Sequence, residues 1–167
     1  ATTSIVNDYQ TTYAYDLANR TTTVTGPEGD KTKTVLDANA NIVSSATGIT
    51  VSKPAGDVTQ YGYTDADELQ TVDPPGTGVR SYTYWPSGER KTYTNETGGV
   101  WTTTFDSAGQ LAESKDPKNN VTVYDYGSAG ELTTVRQPVT SATCTGTKVG
   151  CITYGYDDAG RVTSVDY

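Results

Sequence analysis

The 167-residue chain has no His and no Met, one Phe and two Cys. Without His there is no His-based triad, no imidazole metal ligand and no imidazole pH switch. No apolar run exceeds three residues, so nothing reads as a membrane-spanning segment or a signal peptide. Lys and Arg number 12 against 20 Asp and Glu. The resulting charge of −8 and pI near 4.4 argue against nucleic acid, whose backbone rewards cations. With no Met even at position 1, the chain is expected to be a processed or excised piece of something longer.

Aliphatic residues are scarce as well. Val, Leu, Ile and Phe together fall under a fifth of the chain, a share that alone suggests disorder. A charge of −8 is too weak to hold 167 residues open, however. Thirteen Tyr and two Trp supply the missing apolar surface, each able to bury about 150–250 Å². Thr, Val and Tyr favour strands, so composition predicts an all-β chain, and the length fits one domain.

Internal repeats organise that chain. Blocks 79–99, 100–120 and 121–141 align without gaps, placing Gly88, Gly109 and Gly130 at equivalent positions. The frame extends to seven blocks beginning near 10, 31, 58, 79, 100, 121 and 151 in a single array. Residues 1–9 read as the tail of a preceding block, and the last block is cut short at Tyr167. Insertions fall only at junctions, Ser52–Asp57 and Ala142–Gly150. The sixth place of each block holds Tyr15, Leu36, Tyr63, Tyr84, Phe105, Tyr126 and Tyr156. The fourth holds Tyr13, Thr34, Tyr61, Tyr82, Thr103, Tyr124 and Tyr154. Residues two apart in a strand share a face, so these form an aromatic stripe on a half-buried strand.

A turn follows the aromatic, clearest in Asp106–Gly109 and Asp157–Gly160. Asp there hydrogen-bonds the backbone two residues on, and Gly takes the positive φ of a type I turn with a G1 bulge. The equivalent φ > 0 positions are Asn19, Ala40, Asp67, Gly88, Gly109, Gly130 and Gly160. Asn and Asp tolerate that conformation, whereas Ala fits it poorly. A second strand is led by Ile42, Leu69, Leu111, Leu132 and Val162, and Pro27, Pro75, Pro117 and Pro138 lie near strand ends. Each block therefore predicts one hairpin and one longer connection.

The segment Tyr154 to Val162, Tyr-x-Tyr-Asp-x-x-Gly-Arg-Val with Asp157 as its Asp, resembles the YD repeat of the RHS and teneurin families. So does Tyr13-Ala-Tyr-Asp-Leu-Ala-Asn-Arg, with Asp16 in that place. The resemblance runs from about Gln10 to Tyr167. Thr64, Trp85 and Gly127 replace the Asp, and Lys31–Val51 lacks both aromatics. It implies tandem antiparallel hairpins in an open, curved or spiralling sheet, a partial YD shell. It also implies a non-catalytic structural segment of a secreted or cell-surface protein. The partners would be further repeats and an enclosed domain such as a C-terminal toxin. The animal relatives imply the rival reading, an adhesive carbohydrate-binding module.

Candidate chemistry is thin, and no cofactor is expected. Asp65, Asp67 and Glu68, and the pair Asp157 and Asp158, resemble the paired carboxylates of glycoside hydrolysis. They occupy the repeated turn, and turn chemistry is the favoured reading. No cluster has the spacing of an EF-hand loop. Asp73–Gly76 resembles a scrap of the self-cleavage segment of bacterial RHS shells, and a plain turn is favoured. Trp85 and Trp101 break the period and are the candidates for stacking on a glycan. Cys144 and Cys151 lack the further ligands a zinc site needs, and a structural disulfide is favoured. Asn95-Glu-Thr97 and Asn120-Val-Thr122 match the glycosylation sequon. Truncated terminal blocks predict weak self-association through strand edges. Far-UV circular dichroism is expected to show β structure with negligible helix, and a single excised block is expected to be unfolded.

Overall fold

The computed structural model describes residues 9–137 and 150–167. They contain no helix and 14 strands, arranged as an antiparallel sheet whose strand order is sequence order. The chain divides into two compact units, 1–82 and 83–167. The first holds β1 (Thr12–Asp16), β2 (Thr21–Thr25), β3 (Lys31–Leu36), β4 (Ile42–Ile49), β5 (Asp57–Tyr63) and β6 (Leu69–Asp73). The boundary falls inside β7 (Arg80–Tyr84). The second holds β8 (Arg90–Thr94), β9 (Val100–Phe105), β10 (Leu111–Lys115), β11 (Val121–Tyr126), β12 (Leu132–Arg136), β13 (Cys151–Tyr156) and β14 (Val162–Asp166).

Each block joins the next in one register: its fourteenth residue faces the third residue of the following block. The pairs are Thr23 with Lys33, Ser44 with Gln60, Thr71 with Ser81, Thr92 with Thr102, Glu113 with Val123, and Thr134 with Thr153. The insertions before Val58 and Cys151 do not disturb it, because a loop adds length without moving the strands it connects.

The predicted turns form, with three corrections. In the first hairpin Arg20 (φ 49°), not Asn19, carries the positive φ. Asp16 and Thr21 stay in register, so Leu17–Arg20 must close the hairpin as a four-residue loop whose last residue turns left-handed. Second, the connection between blocks is in three cases the same five-residue turn as within blocks. Gly26 N–H donates to Asp30 C=O, Asn95 N–H to Gly99 C=O and Asp116 N–H to Asn120 C=O, at 2.8–3.0 Å. Pro27, Pro86 and Pro117 occupy the second place of such turns, where their fixed φ is pre-set and no N–H is needed. Third, a second bulge follows the turn. Leu111 faces Phe105 but Glu113 faces Thr104, leaving Ala112 unpaired, and Val43, Gln70, Thr133 and Thr163 repeat this.

Burial is shallow. Among the described residues only Ala46 and Cys151 are buried, and most other strand side chains are half-covered by cross-strand neighbours. Ala40 does adopt the left-handed conformation, at φ 70°, and Gly109 adopts it at 78° with open space where a Cβ would stand. Ala40→Gly is therefore expected to raise the urea midpoint and Gly109→Ala to lower it, each by an equivalent of about 1 kcal/mol.

Candidate functional site: the aromatic stripe and its cleft

The stripe is built from two kinds of cross-strand pair. Aromatics at the fourth place face a Val of the same block: Tyr13 with Val24, Tyr61 with Val72, Tyr124 with Val135, Tyr154 with Val165. Those at the sixth place face the residue that leads the second strand: Tyr63 with Leu69, Phe105 with Leu111, Tyr126 with Leu132, Tyr156 with Val162. Aromatic–aliphatic pairs of this kind stabilise a sheet by about 0.2–1 kcal/mol each. Tyr82 and Tyr84 lie on β7, at the boundary of the two units.

The second bulge separates the start of the second strand from the block that follows, and tyrosine bridges the gap. Tyr63 donates its hydroxyl to Ile42 C=O (2.9 Å), Tyr126 to Leu111 C=O (3.0 Å) and Tyr156 to Leu132 C=O (2.8 Å). Each bond runs from the sixth place of one block to the twelfth place of the preceding one. Phe105 has no hydroxyl, and Thr103, on the same face, donates to Arg90 C=O instead. Desolvation, then the negative charge of Asp37 and the neighbour Tyr61, raise the Tyr63 hydroxyl above its ordinary pKa of 10.0. Desolvation, Asp106 and Tyr124 do the same to Tyr126.

Every turn after the stripe keeps an acid, at either its first or its fifth position. In three of the turns that Asp opens, it accepts two backbone amides: Ala108 and Gln110 on Asp106, Ala159 and Arg161 on Asp157, Asn39 and Asn41 on Asp37; Asp16 accepts the backbone and side-chain amides of Asn19. Where Thr64, Trp85 or Gly127 opens it, the fifth residue is Glu68, Glu89 or Glu131. Glu131 accepts the Ala129 amide (3.1 Å), and its carboxylate fills the space a Cβ on Gly127 would need. Glu68 accepts the Thr64 hydroxyl (3.2 Å), which in turn caps Ala66 and Glu68. The acidic positions singled out in the sequence, Asp67 and Glu68 among them, thus sit in turns. Asp67 accepts the side-chain amides of Asn39 and Asn41 (2.8 and 2.7 Å). No group of three potential metal ligands occurs among the described residues.

Trp85 and Trp101 have different surroundings. Trp85 donates Nε1–H to Thr103 C=O (3.1 Å), and the Lys91 ammonium lies 4.5 Å from its ring centroid. Trp101 is 37% exposed and stacks on Tyr93, centroids 5.3 Å apart and planes at 26°. The pair flanks a cleft of about 370 Å³ with Thr103 and Ser114 within it and Arg90 and Lys115 in its lining. Thr103 and Ser114 face each other at the place where four blocks put Tyr and Val and the block starting at Lys31 puts Thr34 and Ser45. Both residues of that smaller pair line the cleft. Cys151 is buried at the start of β13, and Cys144 lies outside the described residues. Asn95 Oδ1 accepts the Thr97 and Gly99 amides, and Asn120 donates to Asp116 (2.7 Å), so both sequon asparagines also shape turns.

Two predictions follow from the turns and the tyrosines. Gly127→Asp and Glu131→Gln are each expected to destabilise by about 1 kcal/mol, and the double variant to recover most of the loss in a urea double-mutant cycle. Stability is also expected to fall at both pH extremes. Asn19 hydrogen bonds hold Asp16 below its ordinary 3.8, Asn120 does so for Asp116, and Arg161 for Asp157. Desolvation works against Asp37, but hydrogen bonds from Asn41 and Asn39 bring it down too. Lowered carboxyls stabilise above 3.8 and lose that contribution as pH falls through their folded values. Raised tyrosines stabilise below 10.0 and lose it as pH rises through their folded values. A thermal midpoint series from pH 2 to 11 should show a broad plateau with a decline at each end.

Residues 105–142 match the family described as RHS Repeat. No curated protein matches the chain. Among solved structures it is similar to the crystal structure of TcdB2-TccC3-Cdc42, with 16% identity and TM-score 0.63, over 81% of this chain and 7% of that one. It is similar to TcdB2-TccC3, with 12% identity and TM-score 0.65, over 91% of this chain and 9% of that one. The Photorhabdus luminescens Tc holotoxin pore carrying a TccC3 mutation gives 15%, 0.62, 81% and 7%. The chain thus spans under a tenth of the length of these structures' chains. The chain is thus similar to an RHS repeat over residues 105–142 and shares its fold with the TcdB2-TccC3 structures.

Proposed function

We propose that the chain is a non-catalytic wall segment: an array of seven RHS-type hairpin blocks that encloses or presents another domain of a secreted parent protein. The observation that carries this is the unvarying junction register, fourteenth residue to third, with tyrosine hydroxyls closing the gaps between blocks. A surface built this way extends by adding identical steps, which suits a wall. The likeness to the TcdB2-TccC3 structures supports the same reading at the level of fold. Cys144 and Cys151 would close the last junction insertion as a disulfide, and the terminal strands would associate weakly with other copies.

In the parent protein, the domain next to this segment is expected to resist protease until the wall is opened. Tyr124→Pro within β11 should expose it to cleavage under conditions where it survives in the unmodified parent. Equal susceptibility in both would reject enclosure.

One observation favours a second reading, an adhesive glycan-binding module. The Tyr93–Trp101 pair presents an aromatic face beside hydroxyl, cationic and amide groups in one cleft. A glycan array is expected to show binding lost in Trp101→Ala and kept in Trp85→Phe if this reading holds, and no reproducible binding if the wall reading alone holds.

A further inference from the structure

We propose that a second cleft, between turns 85–89 and 106–110, is a guanidinium site, and that its occupant is an arginine side chain of another polypeptide. The inference goes beyond the wall reading and does not depend on it. Both turns belong to the second unit. The cleft has a volume of about 470 Å³, with Trp85 and Phe105 as aromatic walls and Glu89, Asp106 and Gly109 among its polar lining. It shares no lining residue with the cleft beside Tyr93 and Trp101.

The bridges between other successive turns show what this one lacks. Asn41 Nδ2 donates to Asp67 Oδ1 (2.7 Å), and Gln110 Nε2 donates to Gly130 C=O (2.8 Å). In both, an amide at the fifth place of one turn reaches an acceptor at the fourth place of the next. Here the fifth place holds Glu89 and the fourth place of the next turn holds Gly109, so an acceptor meets an acceptor. Gly109 spends its N–H on Asp106 C=O (3.1 Å). Glu68 and Glu131, at the fifth place of their own turns, accept the Thr64 hydroxyl and the Ala129 amide. Glu89 instead leaves Oε2 buried without a partner. Arg136 Nε is the other such atom among the described residues, and its side chain is already paired with Asp125 (2.8 Å). A buried acceptor without a donor is costly, and a charged one more so.

The missing group must therefore donate hydrogen bonds and carry positive charge. Hydrogen bonding by Ser87, then by its own backbone N–H, outweighs desolvation and holds the Glu89 carboxyl below its ordinary 4.5, so it is ionised at neutral pH. Asp106 accepts two backbone amides on Oδ1, which leaves Oδ2 for a ligand. Neither acid belongs to a group of three potential metal ligands among the described residues. Aromatic walls favour a flat, weakly hydrated cation, and a guanidinium fans five donors in one plane that stacks on such rings. Lys91 lies over the Trp85 ring but does not line the cleft. The arginine stem packs its methylenes on the walls while the head meets Glu89.

Trp101→Phe leaves Trp85 as the only tryptophan of the full 167-residue chain, so its fluorescence reports on the cleft. Titration with the blocked peptide acetyl-Gly-Arg-Gly-amide is expected to give a saturable change. The citrulline peptide, of the same shape without the charge, should bind about 10-fold more weakly. The arginine peptide should weaken as much on a chain that also carries Glu89→Gln, with the urea midpoint confirming that it remains folded. Asp65→Asn, which removes an equal charge from a turn of the first unit, should leave binding unchanged. Methylguanidine, the head without the stem, should bind more weakly than the peptide. No saturable change, equal binding of the citrulline peptide, equal losses in Glu89→Gln and Asp65→Asn, or methylguanidine as tight as the peptide would each overturn the proposal. If Glu89→Gln fails to fold, the citrulline comparison decides alone. Protease protection in the parent protein is unaffected by these outcomes, so the wall reading stands or falls separately.

Discussion

The structure depends on pairing backbone groups without a deep core to help. Only Ala46 and Cys151 are buried among the described residues, so each hairpin is held by its ladder, its cross-strand pairs and its turn. A carbonyl left outside the ladder in such a sheet must find water or a side chain. At the bulges that follow Ile42, Leu111 and Leu132 the partner is a tyrosine hydroxyl of the next block. This explains why tyrosine rather than phenylalanine dominates the sixth place. Of the two exceptions, Leu36 and Phe105, the phenylalanine is accompanied by a threonine two residues earlier that makes the equivalent bond.

The same economy governs the turns. A five-residue turn exposes two amides on its inner side, and one acid suffices to cover them. Asp at the first position covers both, whereas Glu at the fifth covers one amide directly in the Gly127 turn and acts through the Thr64 hydroxyl in the other. Gly127 and Glu131 show the steric side of the exchange, since the glutamate carboxylate occupies the volume an aspartate side chain would take. Gly26 and Asp30 repeat the arrangement at a junction turn, where the Asp30 carboxylate lies 2.5 Å from the position of an added Cβ. The acidic composition of the chain is thus partly a consequence of its many turns.

The period is broken in the block that starts at Val100. At Phe105 a neighbouring residue compensates, since Thr103 makes the bond the missing hydroxyl would have made. Thr103 and Ser114 stand where four blocks put a Tyr–Val pair, and both line the cleft beside Tyr93 and Trp101. Trp85, the other irregular aromatic, spends its indole N–H on Thr103 and its ring face on Lys91.

Much of this was legible before any coordinates. The 21-residue spacing of Gly88, Gly109 and Gly130, the alternation of Tyr with small residues and the Asp-x-x-Gly turns dictate tandem hairpins, because local periodicity and positive φ are properties of short segments. The tertiary structure decided what depends on two strands at once. It set the bulges at Val43, Gln70, Ala112, Thr133 and Thr163, the shift of positive φ from Asn19 to Arg20, and the hydroxyl–carbonyl bonds between blocks. A bulge is a difference in residue count between paired strands, and neither strand records it alone. Likewise a tyrosine's partner lies in another block, across a distance fixed only when the strands have come together.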